Sequence, residues 1–251
     1  MNINKHLILL FSVLFFLFAV SVSSGCFRKN ESDVKSVVRN ELDQLKNLDS
    51  ETTQKYIPYT ELFPDATENT DLTDEINKTF SLFFRKFNYK ISDVIVGTAN
   101  HSATVSVKLT TIDSKVLARD FKAELLRTQI TESAQAQKGN IKDSSRSLEA
   151  HYLILNHLLN TNDYDTAETD CNIQLVNTGN DKKEKWKIQR TNSLEDDLVG
   201  GLIADLADPD ILSPEDTLTV YLDTLQKLDL KEMTSYLGVA VSYTHLTLPT
   251  T

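Results

Sequence analysis

The chain has 251 residues and a formal net charge of −10, because 36 acidic side chains outnumber 26 basic ones. This acidic balance argues against nucleic acid and anionic lipid headgroups as the main partners, since both repel a negatively charged surface. With only 7 glycines, the sequence also contains no glycine-rich loop of the kind that cradles phosphates in nucleotide-binding proteins.

The first 25 residues have the pattern of a secretory signal peptide. Lys5 and His6 precede an apolar run over 7–20 that contains one polar residue, Ser12, and small residues follow this run over 21–25. An uncleaved membrane anchor is the less favoured alternative, because the run is marginal for the ~30 Å hydrocarbon core of a bilayer. The pattern therefore predicts an exported protein.

The residues Ser23-Ser24-Gly25-Cys26 resemble the lipobox of bacterial lipoproteins, with Ser23 where leucine is usual. The resemblance implies cleavage between Gly25 and Cys26 and a diacylglyceryl lipid on Cys26. Such a lipid would hold the protein on the outer face of the cytoplasmic membrane, or in the outer membrane or periplasm of a Gram-negative organism, at ~0.8 kcal/mol per buried methylene. Cys171 would then be the one remaining thiol, so no disulfide is expected within the chain.

Hydrophobic periodicity predicts three helices and a hairpin after a polar tether over 26–32. The first helix begins at Asp33, a short second helix covers 51–57, and a third, aromatic helix follows a loop over 58–69. Alternation with a period of two then predicts two strands joined by a turn over 97–101. The inward positions are Val34, Val37, Val38, Leu42, Leu45 and Leu48 on the first helix, Leu72, Ile76, Phe80, Phe83, Phe84 and Phe87 on the third, and Tyr89, Ile91, Ala103, Val105, Val107 and Leu109 on the strands.

Two more helices and a second pair of strands are predicted further along the chain. The helices cover 116–130 and 148–159, and the strands cover 167–175 and 186–188. The polar stretch 131–146 could extend the helix before it or form a loop. Gly179-Asn180-Asp181 supplies turn residues between the two strands.

Two helix starts mark the C-terminal part of the sequence. Ser193 with Asp196 has a capping-box pattern that predicts one helix through Leu206. A linker over 207–212 follows, and the residues Ser213-Pro214-Glu215-Asp216 then place a cap, a first-turn proline and two acids in order. This second pattern predicts a helix that begins directly after Ser213.

The helix after Ser213 repeats the first helix at an offset of 180 residues (221 against 41). Positions 41–49 align without a gap with positions 221–229, and Tyr56 aligns with Tyr236. The recurrent residues are Leu42, Asp43, Leu45, Leu48, Asp49 and Tyr56. Any two amphipathic helices share leucines, but recurrent Asp and Tyr are less expected. We therefore interpret 213–240 as the first helices of a truncated second copy of a domain at 33–206.

The last residues of the chain, 241–251, resemble translated adapter DNA. Positions 241–250 match one reading frame of the transposase adapter used in sequencing libraries, and Ala240 fits the codon at the junction. Such a segment is excluded from reasoning about the fold. The natural protein is expected to continue beyond Val239.

An opening helix with Leu42-Asp43-Gln44-Leu45 and a tyrosine soon after it, then meandering strands and a late Trp186-Lys187-Ile188, is similar to the NTF2-like (cystatin-like) superfamily. Within that superfamily, the chain resembles lipoproteins of Gram-positive anaerobes that carry one or two such domains. The resemblance implies an α+β fold in which a curved antiparallel sheet wraps around helices and leaves a conical pocket. The side chains that would line the pocket are Phe80, Phe84, Tyr89, Val107 and Trp186.

The sequence offers no catalytic or metal-binding constellation. His151 and His157 are six residues apart on one predicted helix, which places them on different faces, so both are expected at the surface. Cys171 falls on the apolar side of its strand and is expected to be a buried, inert thiol. Enzymes of the NTF2-like superfamily use Asp, His and Tyr inside the cone, so the resemblance would allow such roles for Tyr89, Tyr152 and Asp170, but a packed tyrosine and a solvated carboxylate are the favoured interpretations.

These observations predict a non-enzymatic, membrane-tethered module of the cell envelope that binds a protein, a peptide or an envelope component. A homodimer through the sheet is one arrangement that would fit. The alternative is a small-molecule binder, or a weak enzyme, that uses the conical pocket; a fully packed cone would exclude it. No metal is expected, and no cofactor apart from the lipid on Cys26.

Overall fold

The structure is a computed structural model that describes residues 30–57, 62–64, 66, 72–97, 101–136, 145–179 and 184–228. In chain order the elements are α1 (helical over 30–46), α2 (Ser50–Tyr56), α3 (Thr73–Phe83) with the 3-10 turn Phe84–Lys86, β1 (Asn88–Val96), β2 (Ser102–Ile112), α4 (Ser114–Ala136), α5 (Leu148–Thr161), β3 (Thr166–Asn177), β4 (Trp186–Ile188), α6 (Asn192–Leu198), α7 (Leu202–Ala207) and α8 (Pro214–Lys227). Within these residues the predicted α+β class is confirmed.

The described strands form an antiparallel sheet in the order β1-β2-β3-β4. Strands β2 and β3 pair along their length, from Ser102 opposite Val176 to Ile112 opposite Thr166. The register between β1 and β2 shifts between Ile91 and Asp93, which marks a bulge at Ser92. A bulge bends and twists its strand, so the sheet has a local cause for curvature at this edge.

The helices cover one face of the sheet and leave the other open. The inward side chains of β2 and β3 are buried; they are Ala103, Val105, Val107, Leu109, Cys171, Ile173 and Leu175. We call the opposite side the open sheet face, defined by Thr104, Ser106, Lys108, Glu168, Asp170, Asn172 and Gln174. Its polar groups pair across strands: Ser106 Oγ donates to Asn172 Oδ1 at 2.9 Å, and Lys108 Nζ lies 3.1 Å from Glu168 Oε2.

The first helices agree with the periodicity, apart from one leucine. Leu48 was expected on the buried face of α1, but the helix ends before it and its side chain is 44% exposed. Leu48 has a φ of 62° and its backbone N–H donates to the Leu45 carbonyl, while Asp49 N–H donates to Gln44. These two bonds form a Schellman-type helix end, which turns Leu48 outward.

The prediction of one helix from Ser193 to Leu206 is wrong, because the first helix begins earlier and a break divides the segment into two helices. Thr191, not Ser193, caps α6 by accepting from the Leu194 N–H at 3.2 Å. Two helices, α6 and α7, stand in place of one, because Gly200 and Gly201 have φ values of 68° and 90°. A Cβ on Gly200 would lie 2.2 Å from Thr111 Oγ1, so the close approach of this turn to β2 requires glycine.

The polar stretch after Ile130 extends α4 as far as Ala136, and residues 137–144 lie outside the described residues. The start predicted for α8 is confirmed: the Ser213 side chain accepts from Asp216 N–H, and Pro214 is the first helical residue. Helix α8 packs against α4, and Val220 and Leu225 are among its buried residues.

Several predictions fall on residues that the structure does not describe. These are the signal peptide, the lipidation site at Cys26, the turns at 98–100 and 180–183, and the adapter-like residues 241–251. Within the described ranges, no helix combines the length and the apolar character needed to cross a bilayer.

Candidate functional site

The side chains predicted to line a conical pocket are placed in two environments. Phe80 and Phe84 pack against each other, with ring centroids 6.2 Å apart, and both are buried. Val107 and Trp186 are also buried in the core. Tyr89 instead reaches α1, where its hydroxyl donates to Asp43 Oδ1 at 2.6 Å. Four of the five predicted residues therefore fill the core, and the fifth borders a groove beside α1.

A different concave site lies where α4, α5 and α7 meet residues 62–64 and 66. It has a volume of about 250 Å³, and we call it the His151 pocket. Its described lining consists of Leu62, Phe63, Pro64, Ala66, Phe121, Lys122, Leu125, His151, Ile203, Leu206 and Ala207. Most of these side chains are apolar, which is typical of small-molecule sites.

The sequence positions the imidazole of His151 through the start of α5. Ser147 caps this helix, its side chain accepting from Ala150 N–H at 3.1 Å. One turn later, His151 Nδ1 lies 2.7 Å from the Ser147 carbonyl oxygen. The imidazole also packs against Phe63 and Phe121, with centroid distances of 4.8 and 5.6 Å. The ring is thus held by a hydrogen bond on one side and by aromatic contacts on the other.

The protonation state of His151 follows from these contacts. A carbonyl oxygen only accepts, so Nδ1 carries the hydrogen and Nε2 keeps the lone pair in the neutral ring. Burial lowers the pKa of His151 below its ordinary value; the Ser147 carbonyl opposes this shift and the nearby Lys122 adds to it. At neutral pH the ring is therefore uncharged and offers Nε2 as a hydrogen-bond acceptor.

The arrangement is suited to holding a molecule. Aromatic and aliphatic walls provide apolar contact, His151 provides one acceptor, and Lys122 is the one charged side chain in the described lining. A ligand that fits would be small and mostly apolar, with a hydrogen-bond donor directed at Nε2. No carboxylate, hydroxyl or thiol is found among the lining residues that the structure describes.

No family model, curated protein or solved structure matches the chain. What the His151 pocket binds must therefore follow from the chemistry of the pocket itself.

The sequence prediction for His151 is wrong, whereas the predicted burial of Cys171 and the predicted exposure of His157 are confirmed. His151 was expected at the surface, but it is half-buried because Phe63 covers it from a segment far away in sequence. Helical spacing reports only the faces of the helix itself, so it could not reveal this cover. Cys171 is buried, and burial raises the pKa of its thiol, while His157 is exposed. No group of three or more metal-ligating side chains occurs within the described ranges.

The depressed pKa of His151 predicts a pH-dependent stability. The unfolded chain takes up a proton near its ordinary pKa of 6.5, and the folded chain does so at lower pH. The contribution of His151 to the free energy of unfolding is therefore fully present above about pH 7, and it is lost as the pH falls through 6.5 and below. We expect His151→Gln to reduce the difference in unfolding free energy between pH 7.5 and 5.5, measured by urea denaturation at about those two values.

His157→Gln is the matched control, because His157 lies exposed on the same helix. It should leave the pH dependence as in the wild type. A His151→Gln variant with an unchanged pH dependence would contradict the neutral, buried state of His151.

Proposed function

We propose that the chain is a lipid-anchored binding protein of the cell envelope that holds a small, mostly apolar ligand in the His151 pocket. The observation that carries this proposal is the neutral imidazole of His151 in a wall of aromatic and aliphatic side chains. An acceptor set in an apolar wall gives a ligand both orientation and selectivity, because only a ligand with a hydrogen-bond donor can pair with it.

The proposed anchor rests on the lipobox-like residues that end at Cys26. Helix α1 is already present at residue 30, four residues beyond Cys26. A chain reaches at most ~3.6 Å per residue, so the folded part would begin within about 15 Å of the lipidated cysteine. This short tether supports a protein that works at the membrane surface, on ligands or partners found there.

The anchor is tested with the full chain expressed in a bacterium that is fed labelled palmitate. We expect the wild type to carry the label and to sediment with membranes, because only a lipidated Cys26 supplies acyl chains. Cys26→Ser should lose the label, and Cys171→Ser, which alters the buried thiol, should keep it. Equal labelling of the wild type and Cys26→Ser would overturn the proposed anchor.

A second candidate is a partner-binding function of the open sheet face. Its support is the row of exposed polar side chains on β2 and β3, including Lys108, Asp170 and Asn172. Exposed Ile95 on β1 and Val176 near the end of β3 add apolar area. Such a face could hold a protein, a peptide or a second copy of the chain. A substitution there, such as Asn172→Arg, would weaken partner binding and leave the His151 pocket unchanged.

We also propose that the fold belongs to the NTF2-like type and that α8 opens a second copy. The bulge in β1 and the one-sided helix layer support a curved sheet of that type. The recurrent residues have specific roles in the first copy: Asp43 accepts from Tyr89, Asp49 caps α2 by accepting from Thr52 N–H at 2.8 Å, and Tyr56 is buried. Recurrence of residues with such roles supports a repeated domain more strongly than recurrent leucines do.

The apolar face of α8 supports the same proposal. Leu218 and Leu222 are 57% and 47% exposed. Their counterparts at the offset of 180 residues, Val38 and Leu42, are 0% and 1% exposed. In a complete second copy, the helices and sheet of that copy would cover Leu218 and Leu222 as the first copy covers Val38 and Leu42.

A further inference from the structure

A polar groove of about 320 Å³ runs between α1 and β1, on a part of the molecule separate from the His151 pocket. Lys35, Arg39 and Lys46 line it, together with Asp43, Asn88 and Tyr89. We call it the α1–β1 groove. Three cations and one carboxylate therefore converge on one concavity of a chain whose net charge is −10.

Helix geometry brings the three cations to the same side of α1. At about 100° per residue, positions 35, 39 and 46 fall within a sector of about 40°. The apolar positions Val34 and Val38 lie beside this sector and are buried, which fixes the rotation of α1. No local pattern predicts the groove, because Tyr89 and Asn88 complete it from a strand distant in sequence.

The positive charge in the groove is only weakly compensated. Lys46 Nζ donates to Asn88 Oδ1 at 2.9 Å, and this neutral acceptor leaves its charge in place. Within the described part of the chain, Lys35 and Arg39 make no ion pair. The carboxylate of Asp43 accepts the Tyr89 hydroxyl at 2.6 Å.

Two further carboxylates limit where an anion could sit. Glu31 and Asp93 line an adjoining depression that also includes Lys35. They lie outside the α1–β1 groove, so the part most favourable to an anion is the end near Arg39 and Lys46, where the carboxylate of Asp43 already accepts the Tyr89 hydroxyl. The amide of Asn88 also lines the groove and offers N–H donors.

We infer that the α1–β1 groove binds a phosphate group. A planar guanidinium recognises two phosphate oxygens at once, and a flexible ammonium adds a point charge, so Arg39 and Lys46 suit the free oxygens of a phosphate monoester or diester. The phosphate could belong to a membrane lipid headgroup or to a soluble phosphorylated compound. The overall charge of −10 opposes the binding of anions in general, so recognition of either source would depend on the local cations of this groove.

The test is lysine acetylation of the full chain by a water-soluble amine reagent, followed by mass spectrometry. About 10 mM inorganic phosphate, at constant ionic strength, should slow acetylation of Lys46 by about threefold or more, which corresponds to a site two-thirds occupied. Lys108 and Lys187, exposed on the sheet, report non-specific effects and should be unaffected. This arm is read in solution and does not depend on the proposed lipid anchor.

A second arm compares the chain on nanodiscs of phosphatidylcholine with and without phosphatidylglycerol. Protection by phosphatidylglycerol but not by inorganic phosphate identifies a lipid headgroup, and protection by inorganic phosphate identifies a site open to soluble phosphates. Arg39→Gln should abolish the protection, whereas Lys90→Gln, an exposed lysine on β1, should retain it. The inference is overturned by no protection in both arms, or by equal protection in Arg39→Gln.

Discussion

Gly200→Ala is expected to lower the free energy of unfolding by about 3 kcal/mol or more, through a clash and an unfavourable backbone conformation. The added Cβ would lie 2.2 Å from Thr111 Oγ1 and 3.1 Å from Thr111 Cβ. Thr111 is buried, so it has little room to move. The turn itself is fixed by Ser114, whose hydroxyl donates to the Gly200 carbonyl at 2.6 Å.

Gly201→Ala is the matched control for this prediction. Gly201 also has a positive φ, of 90°, but a Cβ there would meet its nearest neighbours at 3.7 and 3.8 Å. Gly201→Ala therefore has only the cost of a positive φ and no clash, so its free energy of unfolding is expected to fall by about 1 kcal/mol. Urea denaturation of the full chain measures both variants. Equal losses for the two would show that Gly200 does not approach β2 as closely as described.

Leu42→Ala is expected to cost about 3 kcal/mol, because it leaves a cavity in a packed core. Leu42 is fully enclosed on the inner side of α1. Leu222→Ala, at the aligned position of α8, should cost less than about 0.5 kcal/mol because Leu222 is half exposed. Both variants conserve helix propensity, so urea denaturation compares burial alone.

This pair also bears on the proposed second copy. In a longer protein with a complete second copy, Leu222 would be covered, and Leu222→Ala would become as costly as Leu42→Ala. If both variants lost the same unfolding free energy in the present chain, the exposure of Leu222 on α8 would be contradicted. A small loss at Leu222 in a longer protein would contradict the second copy.

Local pattern predicted much of the fold because many elements bury a single face. Val34, Val38 and Leu42 repeat at helical spacing since one side of α1 faces the core, and β2 alternates since one side of the sheet is open. The break between α6 and α7 was missed for the opposite reason. It depends on Thr111 and Ser114, the latter 86 residues before Gly200, and no local period encodes such a contact.

The site was less predictable than the fold. Phe80 and Phe84 were correctly seen as inward-facing, but inward-facing side chains either fill a core or line a cavity, and a sequence pattern does not distinguish the two. The His151 pocket depends on Phe63, in a segment that was predicted only as loop. The pairing of that segment with α4, α5 and α7 is a tertiary contact, so it became visible only with the structure.

Native mass spectrometry of the full chain, extracted from bacterial membranes, shows whether the His151 pocket holds a small ligand. Ile203→Trp should fill the pocket, and Leu153→Trp, on the exposed side of α5, is its control. We expect the wild type and Leu153→Trp to carry an extra mass that is lost on denaturation, and Ile203→Trp to lack it. A wild-type chain without any bound mass, or the same mass retained in Ile203→Trp, would contradict ligand binding in the His151 pocket.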